Sequence, residues 1–189
     1  MDLRNDAASL YLELGQPADA LKHFEAVARL RPLSAQAHYN VGIALEGTGR
    51  AGEAARAYET AVRLDPAYSH AHNNLGSLLL SAGRLDDARR AFERAVESAM
   101  DNVEAANNLG AVLLALGDAA AALPHLTRAI ELRPTYPEAH FNLARAFAST
   151  RQPEAAMREA AVAESQASAA GKHALVAQIR ELRDRIQPR

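Results

Sequence analysis

Asn40, Asn74, Asn108 and Asn142 stand 34 residues apart, and Asn73 and Asn107 immediately precede two of them. Asparagine is a below-average helix former, because its side chain competes for backbone hydrogen bonds. Four in register within otherwise helical segments point to work done by the amide itself. An amide offers both a donor and an acceptor, which complements the N–H and C=O of a peptide unit. Packed helices lie ~8–10 Å apart and an extended chain advances ~3.3 Å per residue. One rung per repeat would then meet a bound backbone about every third residue. Neutral amides do this without the desolvation cost of buried charge. The same amides can instead bond to one another, within a helix or between neighbours, and spacing alone leaves both uses open.

No other constellation suggests catalysis. His38, His72 and His140 recur at one repeat position and read as packing residues. His70 and His72 would point to different faces of a helix, a poor arrangement for a metal. There is no phosphate loop, nucleotide-binding glycine pattern or nucleophile motif. Asp86-Asp87 with Arg89, Arg90 and Arg94 reads as a solvated helix face. Neither metal nor cofactor is expected, and the chain reads as non-catalytic.

The asparagines ride on a wider period. Gly42, Gly76 and Gly110 repeat every 34 residues, as do Gly15, Gly49, Gly83 and Gly117, and as do Ala20, Ala54, Ala88, Ala122 and Ala156. Pro32, Pro66 and Pro134 keep the same register. A fixed period of this size predicts a stack of identical units rather than one globular core. The units are 1–34, 35–68, 69–102, 103–136 and 137–170, within one elongated domain spanning 1–189. In the second unit, Ala37, Val41, Ala44 and Leu45 have helical spacing, Gly47-Thr48-Gly49-Arg50 breaks the helix, and Ala54, Ala57, Tyr58, Ala61 and Val62 mark a second helix. Asp65-Pro66 stops it. Pro17, Pro137 and Pro153 suit first turns, Asp118 suits an N-cap, and Ser34 and Ser69 are further candidate caps. Residues 172–187 place Leu175, Ile179, Leu182 and Ile186 on one face of an amphipathic capping helix.

This pattern resembles the tetratricopeptide repeat, a 34-residue helical hairpin, over residues 1–170. The matches are Asn-Val-Gly at 40–42, Asn-Asn-Leu-Gly at 73–76 and 107–110, Asn-Leu-Ala at 142–144, and the pairs Ala20/Phe24, Ala54/Tyr58 and Ala88/Phe92. Interior glycines cost ~1 kcal/mol relative to alanine, so their recurrence implies close helix approach; Tyr58, Phe92 and Leu126 are expected to fill the space toward the next unit. Three departures stand out. Met100 replaces a proline, which predicts a more continuous helix or a looser turn between the third and fourth units. Arg151 replaces the turn glycine of the fifth unit, and Ala160 its large packing residue.

The resemblance implies a right-handed, all-α solenoid whose first helices line a concave groove. The asparagine register is similar to the repeat domain of O-linked N-acetylglucosamine transferases, where such residues hold substrate backbone; it carries over to Asn40, Asn74, Asn108 and Asn142, with Asp6 in the corresponding place of the first unit. The candidate peptide-binding set adds Tyr39, Asn73, Asn107, Ser77, Phe141 and Arg145, with Glu46, Glu104 and Glu138 at the groove edges. A lysine-rich clamp for chaperone tails is not expected, since Lys22 and Lys172 are the only lysines and both are placed off this face.

The net charge of −2 gives no basic excess for nucleic acid and no polybasic membrane patch. No apolar run approaches the ~20 residues of a membrane span, and there is no cysteine, which fits a reducing, cytoplasmic setting. Arginine-rich, lysine-poor composition is that of GC-rich bacterial coding sequence. The leading reading is a protein-interaction scaffold that binds an extended peptide or a partner helix in its concave groove. The alternatives are a substrate-recruiting module of a larger enzyme, such as a glycosyltransferase, and a self-assembling scaffold in which one molecule's groove or capping helix docks on a second copy.

Overall fold

A computed structural model describes residues 3–186. Residues 1–2 and 187–189, including the expected end of the capping helix at Gln187, lie outside the described residues. Eleven α-helices and no strands occupy the described residues: α1 (Leu3–Glu13), α2 (Pro17–Leu30), α3 (Ala35–Gly47), α4 (Ala51–Leu64), α5 (Ser69–Ser81), α6 (Leu85–Ser98), α7 (Val103–Ala115), α8 (Ala119–Leu132), α9 (Pro137–Ser149), α10 (Pro153–Ala169) and α11 (His173–Ile186). Each helix packs on its chain neighbours, and α5, α7 and α9 also touch in turn, which is the contact pattern of an α-solenoid.

Local chemistry sets the boundaries. Pro17, Pro137 and Pro153 occupy the first turns of α2, α9 and α10. Ser34 caps α3 by accepting from the Ala37 N–H, and Asp118 caps α8 by accepting from that of Ala121. Ser69 does not cap α5. It is buried, donates to the Ala95 carbonyl at 2.8 Å and accepts from Asn102 Nδ2 at 2.7 Å, tying the hairpin to the following junction.

Alanine holds the stack together. Ala20, Ala54, Ala88, Ala122 and Ala156 are all 0% exposed. Opposite them the large residues lie differently from the expectation. A Cβ built on Gly42 would stand 2.4 Å from the Tyr58 ring, one on Gly76 2.7 Å from Phe92, and one on Gly110 2.4 Å from Leu126. Each large side chain is therefore seated on the glycine of its own hairpin, where the missing methyl makes the room, rather than only toward the next unit.

Met100 neither extends a helix nor loosens the turn. α6 ends at Ser98 and α7 starts at Val103, the same spacing as between α4 and α5. What changes is a side-chain staple. At the other junctions a histidine Nε2–H donates to the carbonyl of the proline six residues earlier: His38 to Pro32 at 2.9 Å, His72 to Pro66 at 3.0 Å and His140 to Pro134 at 3.0 Å. The α6–α7 junction has Met100 and Ala106 in those places. There Asn102 takes over, capping α7 through the Ala105 N–H while reaching Ser69.

The capping helix buries Val176, Ile179 and Leu182, with Leu175 and Ile186 half-buried beside them. Val176 belongs to the buried stripe that the sequence reading assigned to Leu175. Glu164 of α10 clamps the outer side through Arg180, at 2.6 Å, and Arg183. These two guanidinium hydrogen bonds hold the Glu164 carboxyl below its usual range.

Candidate functional site

The first helices α3, α5, α7 and α9 carry the candidate groove residues. Asn40, Asn107 and Asn142 are buried, while Tyr39, Asn73, Asn74, Ser77, Asn108, Phe141 and Arg145 are half-buried. The asparagines are joined to one another. Arg145 Nη1 donates to Asn142 Oδ1 (3.2 Å), Asn142 Nδ2 to Asn107 Oδ1 (3.0 Å), and Asn107 Nδ2 to Asn108 Oδ1 (3.4 Å). Asn108 Nδ2 donates to Asn73 Oδ1 (3.0 Å), Asn73 Nδ2 to Asn74 Oδ1 (3.3 Å), and Asn74 Nδ2 to Tyr58 Oη (3.3 Å). The Tyr58 hydroxyl donates to Glu46.

The chain starts on a cation with only donors and ends on a carboxylate with only acceptors. Every link therefore points the same way along the solenoid, an arrangement in which hydrogen bonds polarise one another. A second, shorter chain runs in the same sense at the N-terminal end: Tyr68 Oη to Gln36 Oε1 at 2.8 Å, Gln36 Nε2 to Asn40 Oδ1 at 2.8 Å, and Asn40 Nδ2 to Asn5 Oδ1 at 3.0 Å.

The repeated link joins residues 35 apart: Asn40 to Asn5, Asn108 to Asn73, and Asn142 to Asn107. Three of the four rungs thus bond to the residue before the preceding rung, while Asn74, with Tyr39 in that place, donates to Tyr58. Asn5, which the sequence reading passed over in favour of Asp6, is the partner in the first hairpin. The offset of 35 between asparagines was the signal available in the sequence. These bonds occupy part of each amide. A primary amide has two N–H donors and two lone pairs, so the half-buried Asn73 and Asn108 each keep one N–H and one lone pair, while Asn74, which also bonds to the Tyr39 hydroxyl, keeps a lone pair.

Aromatic groups flank the amides. Tyr39 lies 4.9 Å from Tyr68 and 5.7 Å from Tyr58, centroid to centroid, with His70 near both Tyr39 and Tyr68. Burial pushes the phenols of Tyr39 and Tyr58 upward and that of Tyr68 up to about 12, so they act as neutral donors. At the other end the Arg145 guanidinium sits 5.8 Å from the Phe141 ring centre. Ser77 spends its hydroxyl on the Asn73 carbonyl one turn back. The edge glutamates are engaged as well: Glu104 with Arg133 and Glu138 with Lys172, each at 2.6 Å. Lys172 is thus held by Glu138. Among the described residues no group of three or more histidine or acidic side chains is placed to hold a metal ion, and no helix is long and apolar enough to cross a membrane.

Tetratricopeptide repeat models match residues 5–69, 44–103 and 73–137, and a second such model matches 113–179. The chain belongs to the tetratricopeptide repeat family. No curated protein sequence matches it. Among solved structures, MamA from Desulfovibrio magneticus superposes with a TM-score of 0.75 at 20% identity, covering 88% of this chain and 94% of MamA. YrrB, described as a tetratricopeptide repeat protein with an unusual peptide-binding site, superposes at 0.74 and 22% identity, covering 94% and 90%. PilF of Pseudomonas aeruginosa superposes at 0.77 and 18% identity, covering 99% and 91%. At these identities the likeness is one of fold. Tetratricopeptide repeat folds are generally non-catalytic scaffolds for protein–protein interaction.

Proposed function

We propose that this protein is an interaction scaffold whose groove along α3, α5, α7 and α9 holds an extended peptide segment of a protein partner. The observation that carries the reading is the continuous amide chain. It fixes each asparagine in one orientation while leaving the half-buried Asn73 and Asn108 with a donor and an acceptor to spare and Asn74 with an acceptor. A pre-oriented amide loses little freedom when it meets a backbone N–H or C=O, which favours binding. Asn40, Asn107 and Asn142, being buried, act mainly by locking neighbouring hairpins together. The aromatic group around Tyr39 and the stacked Phe141–Arg145 pair bracket the amides and would supply the side-chain preference that neutral amides lack. YrrB, of the same fold, is described as having a peptide-binding site, which is consistent with this use of the architecture.

The test is selection of binders from a random peptide library, followed by affinity and melting measurements on Asn74→Ala and Asn108→Ala. A loss of about tenfold per amide, corresponding to ~1.4 kcal/mol, with a melting shift of only a few degrees supports peptide contact. Unchanged affinity together with a lowered melting temperature would leave these amides as structural ties alone and overturn the reading.

A further inference from the structure

A cavity of about 710 Å³ lies where α9, the α9–α10 turn and the end of α11 converge. Arg145, Arg151 and Arg185 line it above an apolar floor of Ala148, Leu182 and Ile186. No carboxylate is among its lining residues. This differs from α6, whose arginines pair with Asp87, Glu93 and Glu97, and from the side of α11 facing α10, whose arginines pair with Glu164.

Two features indicate that the convergence is costly. Arg145 is half-buried, and burial together with the charge of Arg185 holds its guanidinium below the usual range. Arg151 sits at φ 59°, where the corresponding turn residue Gly83 has φ 74°. A left-handed conformation costs a non-glycine residue ~1–2 kcal/mol. Strain at a charged residue, in a place where every earlier hairpin uses glycine, is a reason to look for a ligand.

We infer that this cavity is a docking site for an acidic segment of a protein partner, with two carboxylates on the guanidinium forks and an apolar side chain between them on the floor. Guanidinium groups match carboxylates in bidentate geometry. The apolar floor favours a peptide over a freely hydrated anion, because it repays a buried aliphatic group. The first turn of α10, at Pro153, adds its positive dipole end to the same cavity. Arg151 and Arg185 lie outside the amide chain, so this site stands or fails separately from peptide binding in the groove.

The probe is a labelled peptide of alternating aspartate and leucine, measured by fluorescence anisotropy against its asparagine–leucine counterpart. Wild type is expected to bind the acidic peptide, with affinity falling as salt is raised, and to ignore the neutral one. Arg151→Ala/Arg185→Ala should weaken binding by at least about tenfold, in line with the loss of charge-assisted hydrogen bonds, without lowering the melting temperature. Arg151→Gly restores the turn residue of the other hairpins while removing one guanidinium, so a weakened interaction in this variant cannot be ascribed to misfolding. Equal binding of the acidic peptide by wild type and both variants, equal binding of the neutral peptide, or binding of inorganic phosphate without the acidic peptide would each overturn the assignment.

Discussion

The central hairpins and the last one fill the same gap in opposite ways. In α3/α4, α5/α6 and α7/α8 a glycine faces Tyr58, Phe92 or Leu126. In α9/α10 the corresponding residues are Ala144 and Ala160, both 0% exposed. One arrangement supplies all the volume from one side; the other takes a methyl from each. What the fold requires here is a filled gap at native density, not a particular residue. The consequence appears where α11 packs on this hairpin: Ala144, Ala160, Ala163 and Ala167 share one small-residue cluster in which Val176, Ile179 and Leu182 of α11 are buried. The departure from the repeat pattern is thus how the stack ends: a flattened last hairpin lets a helix of different composition approach and close it.

The sharpest way to break this comparison is Gly76→Ala. On an unconstrained helix that change stabilises by up to ~1 kcal/mol. Here the new Cβ would lie 2.7 Å from Phe92 Cε1, so a loss of about 1–3 kcal/mol is expected from overpacking. Combining it with Phe92→Ala recreates the α9/α10 pairing, and the double variant should lose less than the two single losses added, by at least ~1 kcal/mol. Urea unfolding of the four proteins measures this. Additive losses would show that glycine and ring are not coupled.

A smaller effect separates the stapled junctions from the unstapled one. His72→Ala removes the bond to the Pro66 carbonyl and should cost about 1 kcal/mol, while Ala106→Ser, at the junction that lacks the staple, tests only local packing. The staple also carries a pH signature. Burial holds His72 and His125 below their ordinary value of 6.5. The folded chain then binds fewer protons than the unfolded chain as the pH is lowered through that value. Stability should be level above it and fall below it, and His72→Ala should flatten part of the fall. A melting temperature independent of pH between about 5 and 8 would contradict this, since that is the range in which histidine titrates.

The difference in what could be read beforehand follows the same division. Helix order, turn positions and the buried alanine register were legible because each rests on local chemistry repeated every 34 residues. The amide chain was legible as a recurring residue type but not as a network. Its links cross from one hairpin to the next with an offset of 35, which only the stacking geometry sets. The His–Pro staple could have been found from the joint substitution of Met100 and Ala106, two departures six residues apart across one junction between units. The arginine cavity could not, because Arg145, Arg151 and Arg185 come from three elements and share no spacing.

The smallest expected effect is also the one that distinguishes a functional departure from a merely tolerated one. Arg151→Gly gives the last hairpin the turn residue of the others. If Arg151 were only a surface residue in a tight turn, the change would relieve a left-handed backbone and raise the melting temperature by the equivalent of about 0.5–1 kcal/mol, after allowing for the extra chain entropy of glycine. The cavity reading requires that same gain in stability together with weaker binding of the acidic probe. Strain that is relieved at the expense of binding is strain maintained for the ligand. A variant that becomes more stable and binds equally well would make Arg151 an accident of the turn, leaving Arg145 and Arg185 as two cations at the edge of an apolar cleft.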